Sequence, residues 1–573
     1  MTQAADNLLP GRANRLWRWL SVPSETFTWS RGNDDSALAR HRRRVIFALL
    51  LTAVVPRIIM AMRLTAVCDD SYYYMWVAEM WEQGRTQTAL QFLNINIYPL
   101  ILWGLQQTGL EASVAGNVWG VIVSGLTVPP LYGLLRRMFD DRVAVVSVML
   151  FAVHPSLMEI SVEPIREPTF WFLFVLSMYC LHRLTGERAK WWPVCAGLAV
   201  ALAVHTRTEG WLLLLPMLLW PLCISPASVS IRRRLLRIAT AGCMIPAFLV
   251  VVNLTLLHGH DRWEWGRFTA LRNLVEWLRS DVSPERIQLE RRRQSQRAAT
   301  RPEVRGTSRV PGIRNRPMLA AVVPSFAGSQ GRARVAELYL FLNLFGENFE
   351  YLNLLLLLPG SLLLGREMWR GDRLALTLIF GGIIGMIWIR LVQVGNMNGR
   401  YFLTAYFAAL PTEAVGILWL LRTATAGVRR PAWRIAAPAL AGVLLAGCFL
   451  TGAFTGGHVE RDSQRKLGQW LRARYGPFKE VVVDTRSVRV GYHVRGRLPN
   501  VSYYNAGDAP PARPPEIIVV GRPADPSVQL RARQLGLRPL PPEQMPSGGD
   551  AFQVFVSGPR RGAVAGSDHV TRQ

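Results

Sequence analysis

The stretch RVIFALLLTAVVPRIIMAM, residues 44 to 62, followed shortly by Cys68-Asp69-Asp70-Ser71-Tyr72-Tyr73-Tyr74, decides the fold. The apolar run is near the roughly 20 residues needed to cross a bilayer as a helix, so the two carboxylates sit where the chain leaves the membrane. A charge at the hydrocarbon edge is costly unless it is hydrated, paired or used, and adjacent carboxylates disfavour each other's ionisation. A solvated turn at a helix end is the plain reading of such a pair; a functional site is the other. The segment that follows, Tyr72 to Glu82, supports a site. Its apolar and aromatic residues recur at helical spacing with Glu79 and Glu82 among them, as in a helix lying in the membrane interface.

Working outward, composition sets the class. Of 573 residues 50% are hydrophobic, with 20 Trp and 22 Phe, and the apolar residues fall in long blocks, which reads as a polytopic α-helical membrane protein. The formal net charge of +27 resides largely in short Lys and Arg clusters between those blocks, the distribution that orients a membrane protein rather than one that binds nucleic acid. Cys180, Cys195, Cys223, Cys243 and Cys448 lie in or beside expected spans and only Cys68 is near an aqueous face, so no disulfide framework is implied. Residues 1 to 43 contain no apolar run long enough for a cleavable signal and read as a cytosolic tail.

Counting apolar blocks predicts about eleven transmembrane helices. They lie near 44 to 62, 114 to 135, 143 to 162, 166 to 184, 192 to 206, 209 to 225, 236 to 257, 351 to 365, 374 to 390, 401 to 421 and 434 to 455. His41 to Arg44, Arg136-Arg137, Arg183 with Lys190, Arg232 to Arg234, Arg366 with Arg370, and Arg429-Arg430 all fall on one side, which the positive-inside rule makes cytoplasmic. An odd number of spans then puts Asp69 and Asp70, the long loop after His258 and the C-terminal tail on the outer face. The transmembrane domain, 44 to 455, carries outer loops 63 to 113 and 258 to 350.

Within the first of those loops, Asn94-Ile95-Asn96-Ile97-Tyr98-Pro99-Leu100 predicts a short helix running to about Gln107. Glu167, between Arg166 and Pro168, reads either as a carboxylate at a helix N-terminus or as a member of the same cleft as the aspartates. In His205-Thr206-Arg207-Thr208-Glu209 the plain expectation is an internal Arg207 and Glu209 pair. His258 to Trp265 reads as an aromatic belt rather than a metal site, because the ligand spacing is indefinite. The Arg-rich stretch 286 to 334 has the composition of a flexible loop, and such loops attract anionic headgroups. Residues 456 to 573 predict a small extracytoplasmic α/β domain: an amphipathic helix at 460 to 475, strands at 480 to 484, 516 to 521 and 552 to 556, and a helix at 528 to 535.

Arg57 in the first span, Asp69-Asp70-Ser71-Tyr72-Tyr73, Tyr98-Pro99-Leu100, Leu135-Arg136-Arg137-Met138-Phe139, His154-Pro155, Glu167 and Asn398-Gly399-Arg400-Tyr401-Phe402-Leu403 together resemble the GT-C membrane glycosyltransferases. The likeness is to the branch of protein O-mannosyltransferases and aminoarabinose transferases; where that family has Asp-Glu this chain has Asp-Asp, and its Arg-rich loop is longer. The resemblance implies transfer of a hexose or pentose, with inversion, from a polyprenyl-phosphate carrier to a lipid, glycan or protein acceptor at the outer face of the inner or plasma membrane. It implies Asp69 as general base, Asp70 and Glu167 positioning the acceptor or the base, Arg400 on the donor phosphate, and Tyr73, Tyr98 and Tyr401 in the substrate site. A guanidinium suits that phosphate because it pairs with two oxygens and stays charged. No cofactor follows with certainty, and a divalent metal is an open requirement. The other classes are a transporter or lipid-linked sugar flippase, disfavoured because no internal repeat is visible and the acids cluster at one face, and a non-catalytic assembly protein. Cysteines introduced at Ser71, Gly328 and Ser527 are expected to react with an impermeant thiol reagent from outside the cell, and one at Ser228 is not; labelling of Gly328 and Ser527 on opposite sides breaks the odd-span arrangement.

Overall fold

The structure, a computed structural model, describes residues 41–64, 67–187, 190–257, 263–269, 338–346, 349, 351–394, 399–426, 442, 447, 459–475, 481–483, 502–503, 517–521, 532–546 and 552–556. The chain divides into two compact units: Met1–Arg63, Gly84–Arg279 and Arg309–Gly456 form the first, and Leu64–Gln83, Ser280–Ser308 and Gly457–Gln573 the second.

Among the described residues the first unit is helical. Its elements are α1 (Arg42–Arg63), α3 (Thr86–Leu93), α4 (Ile97–Gln106), α5 (Ala112–Met138), α6 (Asp141–Val153), α7 (Pro155–Val162), α8 (Glu167–Leu184), α9 (Trp192–Thr206), a 3-10 turn (Thr208–Leu213), α10 (Leu214–Cys223), α11 (Ile231–Thr255), α12 (Tyr351–Leu364), α13 (Arg373–Val394) and α14 (Phe402–Ala426); α2 (Asp69–Glu82) belongs to the second. Each expected span within the described residues is helical, and the stretch 434 to 455 lies almost wholly outside them. Among the described residues five helices are long and apolar enough to cross a membrane, six if the bent pair α6 and α7 counts as one span. The exposed faces are apolar: Val114, Val118, Ile122 and Leu126 form an i, i+4 stripe along α5, and Leu355, Leu358 and Leu362 a second along α12. Such stripes face lipid, where burial against protein is unnecessary for an apolar side chain.

The third expected span is not continuous. Between α6 and α7 the axis turns by 57° at His154-Pro155. Proline has no N–H and cannot continue the ladder of the preceding helix, so the last carbonyls of α6 lose their partners. Arg57, fully buried in α1, supplies them: its Nη1 donates to Ala152 O at 2.9 Å and its Nη2 to Phe151 O at 3.2 Å. On the other side of the break His154 Nδ1 accepts from Leu157 N at 3.4 Å and caps α7. The bend is therefore satisfied from within, as backbone surrounded by apolar side chains requires.

Two glycines of α5 let α7 and the following turn come close. A Cβ at Gly120 would stand 1.9 Å from Ser161 O, and one at Gly116 would stand 2.3 Å from Pro164 Cβ. This approach fixes where the turn from Glu163 to Arg166 runs and so where α8 begins. Asn96 caps α4 by accepting from Tyr98 N at 3.1 Å, and Pro99 sits in its first turn, so the short helix expected from Tyr98-Pro99 forms as read.

In the second unit, α2 starts after Cys68, whose Sγ is 3.2 Å from Ser71 Oγ. Helix α15 (Val459–Tyr475) matches the amphipathic segment read from sequence. Strands β1 (Val481–Val483), β2 (Ser502–Tyr503), β3 (Ile517–Gly521), β4 (Arg538–Pro539) and β5 (Phe552–Val556) form a sheet in the order β2-β1-β3-β5-β4. The first three pair in parallel and β5 runs antiparallel to β3 and β4. The two-residue strands β2 and β4 leave no signal in the sequence, because nothing so short carries a period of two.

Gly120→Ala is expected to destabilise the first unit by about 1–3 kcal/mol, since a methyl group meeting a backbone oxygen forces α5 and α7 apart. Thermal unfolding of the purified protein checks this, and an unchanged midpoint would mean that the close approach does not hold the turn.

Candidate active site

Helix α8 begins and α9 ends at the same level, and two of the ionisable residues singled out from sequence meet there. Arg207 leaves α9 in an extended conformation and is 1% exposed; Glu209 follows in the 3-10 turn. Arg207 Nε donates to Glu209 Oε2 at 3.2 Å and its Nη2 to Glu209 Oε1, so the internal pair expected from the sequence is present. The structure extends it. Arg207 Nη1 donates to Glu167 Oε1 at 2.7 Å, and the same oxygen lies 3.4 Å from Arg400 Nε.

Tyr401 completes the cluster. The Arg207 guanidinium stands 4.7 Å from its ring centroid, and Arg390 near the end of α13 stands 5.0 Å from it. Phe170, one turn into α8, lies 5.6 Å from Arg207 on another side. Guanidinium groups over aromatic faces gain about 0.5–2 kcal/mol each, more when desolvated. Burial by itself pulls the Arg207 guanidinium down, but Glu209 and Glu167 outweigh it, and its pKa lies above the ordinary arginine value. Arg166 also acts on Glu209 electrostatically. Glu167 thus faces Arg207 and Arg400, and Glu209 faces Arg207 and Arg166. Glu167 Oε2 is buried with no hydrogen-bond partner among the described residues.

Of the residues expected at the site, the structure brings Glu167, Arg400 and Tyr401 together. Glu167 opens α8 at the helix N-terminus, as one of its two readings has it, and its carboxylate faces Arg207 and Arg400. Tyr98 is buried at the start of α4, its hydroxyl 3.1 Å from where a Cβ of Gly116 would be. Asp69, Asp70 and Tyr73 lie in the first turn and a half of α2, in the second unit; Asp70 is half-buried and the Asp69 side chain is outside what is described. Among the described residues no group of three or more His, Cys, Asp or Glu side chains is placed to hold a metal ion. Sequence reasoning missed the tie from Arg207 to Glu167. Its one local signal was a lone arginine between two apolar runs whose charge a single neighbouring glutamate neutralises.

Comparison with known proteins agrees with the resemblance read from the sequence. Residues 97–253 match the family model described as dolichyl-phosphate-mannose-protein mannosyltransferase. Among solved structures, ArnT from Cupriavidus metallidurans bound to undecaprenyl phosphate superposes with a TM-score of 0.50 at 12% identity, over 92% of this chain and 100% of that one. The Archaeoglobus fulgidus oligosaccharyltransferase in complex with Zn and sulfate also gives a TM-score of 0.50, at 14% identity, over 83% of this chain and 68% of that one. No curated protein sequence matches at a significant level.

Arg207→Met is expected to cost about 3–5 kcal/mol of stability, because it leaves two buried carboxylates without their shared cation. Glu209→Gln should cost less, since the amide oxygen still accepts from Arg207. Thermal unfolding of both variants makes the comparison, and equal midpoints for the two would remove Arg207 from the centre of the cluster.

Proposed function

We propose that the protein is a membrane glycosyltransferase that moves a sugar from a polyprenyl-phosphate carrier to a lipid, glycan or protein acceptor at the outer face of the inner or plasma membrane, reached by about eleven spans. The observation that carries this reading is the cluster around Glu167, in which Arg400 sits beside a buried carboxylate with Arg390 and Arg207 close by. A departing polyprenyl phosphate carries its charge on phosphate oxygens. Donors held in place beforehand stabilise such charge without reorganising, and Arg400 offers two parallel N–H groups to it.

In the reaction, the acceptor hydroxyl oxygen bonds to the anomeric carbon while the bond from that carbon to the phosphate oxygen breaks. The hydroxyl proton goes to a carboxylate, assigned to Asp69, and the electron pair of the broken bond leaves on the phosphate beside Arg400. Direct displacement inverts the anomeric centre. Asp70 orients its neighbour and the acceptor. Glu167 holds Arg400 through one oxygen and so positions it. Tyr401, under two guanidinium groups, gives the cluster a rigid floor, and Tyr73 and Tyr98 are assigned to substrate binding. ArnT bound to undecaprenyl phosphate supports a lipid-linked donor on the same fold. A transporter or lipid-linked sugar flippase is the other reading of many spans with few internal charges, and the family match over 97–253 favours transfer.

Purified protein incubated with radiolabelled polyprenyl-phosphate sugars tests this. Asp69→Asn should lower turnover about 10²- to 10⁴-fold with donor binding kept, the size of a lost general base. Arg400→Lys keeps the charge but loses two-point geometry, so the donor KM should rise and kcat fall. Wild-type kinetics in both variants would sink the proposal, and a dead Asp70→Asn beside an active Asp69→Asn would exchange the two aspartates' roles.

A further inference from the structure

The helices that carry the Glu167 cluster have a second charged end. Helix α8 runs from Glu167 to Leu184, and α9 runs from Trp192 to Thr206, so Trp192 lies about 21 Å along α9 from the end at the cluster at 1.5 Å per residue. At that far end a cavity of about 730 Å³ is lined by Glu187, Lys190, Trp191, Trp192 and Cys195. Cations surround it. Arg183 stacks on Trp192 at 4.8 Å, and Arg137 is within electrostatic range of Arg183. Arg237 ties down the rim by donating to Leu184 O at 3.0 Å, Gly186 O at 2.9 Å and Glu187 O at 3.1 Å. The one acid among the lining residues, Glu187, is engaged by the Ser228 hydroxyl.

The cavity also has an apolar continuation. Trp191, Cys195 and Leu198 are all exposed and follow one another at i, i+4 and i+7, so an open stripe climbs α9 from the cavity toward the middle of the bundle. Trp191 is 77% exposed, an amphipathic ring at the level where headgroups meet hydrocarbon. A cationic rim, tryptophans and an ascending apolar stripe together match a molecule with an anionic head and a long apolar tail. Free phosphate would use the rim and leave the stripe bare.

We propose that this cavity binds the phosphate headgroup of an anionic phospholipid in the leaflet opposite the Glu167 cluster, with an acyl chain along the stripe of α9. Lys190 and Arg183 contact the headgroup, and Trp191 covers it. The site is separate from the one assigned to glycosyl transfer, and its test does not depend on that assignment.

Cys195 lines the cavity and is exposed, so its reactivity reports occupancy. The full-length protein in mixed micelles of dioleoyl phosphatidylglycerol or dioleoyl phosphatidylcholine, at equal mole fraction, is labelled with a maleimide, and modification is read at each cysteine by peptide mapping. Phosphatidylglycerol should slow labelling of Cys195 about fivefold or more relative to phosphatidylcholine, with Cys223 and Cys243, which are also exposed, unchanged. Lys190→Gln, at an exposed position outside any helix, should remove most of the difference, and Lys190→Gln with Arg183→Gln all of it. Equal protection by the two lipids, a difference that survives both substitutions, or parallel slowing at Cys223 and Cys243 overturns the proposal. Protection by inorganic phosphate in phosphatidylcholine micelles equal to that by phosphatidylglycerol overturns the lipid as the ligand.

Discussion

Backbone that breaks inside an apolar bundle must find its hydrogen bonds within the protein, and Arg57 meets that demand for the break between α6 and α7. Two carbonyls freed by Pro155 would each cost several kcal/mol if left without donors among apolar side chains. A guanidinium is suited to the task because its fork reaches two adjacent oxygens at once. It also stands 5.1 Å over the Phe151 ring, so its charge is partly met by an aromatic face as well. With the bend held, α7 leads into the turn at Glu163-Pro164, and that turn delivers Glu167 to the start of α8.

The cluster that follows has a definite electrostatic logic. Arg207 is surrounded on every named side: two carboxylates accept from it, and the rings of Tyr401 and Phe170 flank it. A buried ion pair gains little over an apolar core in stability, but it holds its members in one geometry, and breaking it is expensive. Glu167 is the junction, since a single oxygen faces both Arg207 and Arg400. An arginine aimed by a fixed carboxylate is pre-oriented for a phosphate in a way that a solvated arginine is not. At the opposite end of α8 and α9 the same two helices carry a different arrangement, an open basic rim beside two tryptophans in place of a buried ion lattice.

The second unit follows different rules. Its sheet pairs short, mostly apolar strands, with Ile517 to Val519 and Val554 to Val556 buried. Helix α2, which carries Asp69 and Asp70, buries Ser71, Tyr72 and Met75. Tyr74, Val77, Ala78 and Met80 are buried as well, so the helix that the spacing of Tyr72 to Trp81 suggested for the membrane interface is packed on more than one side.

The amino-acid sequence by itself determined where the chain is apolar for long enough to form membrane helices, which faces are basic, that Tyr98-Pro99 opens a helix and that Arg207 and Glu209 pair. All of these are local: hydropathy, capping chemistry and a two-residue separation are readable in a window of a few residues. Only the tertiary structure decided that Glu167 joins Arg207 across 40 residues, that Arg57 caps carbonyls 94 and 95 residues away, and that an apparently continuous third span bends by 57°. Those outcomes depend on how each helix is rotated about its axis and how closely two backbones approach. That approach is set by Gly116 and Gly120, whose i, i+4 spacing puts two small residues on one helix face but does not say which backbone packs there.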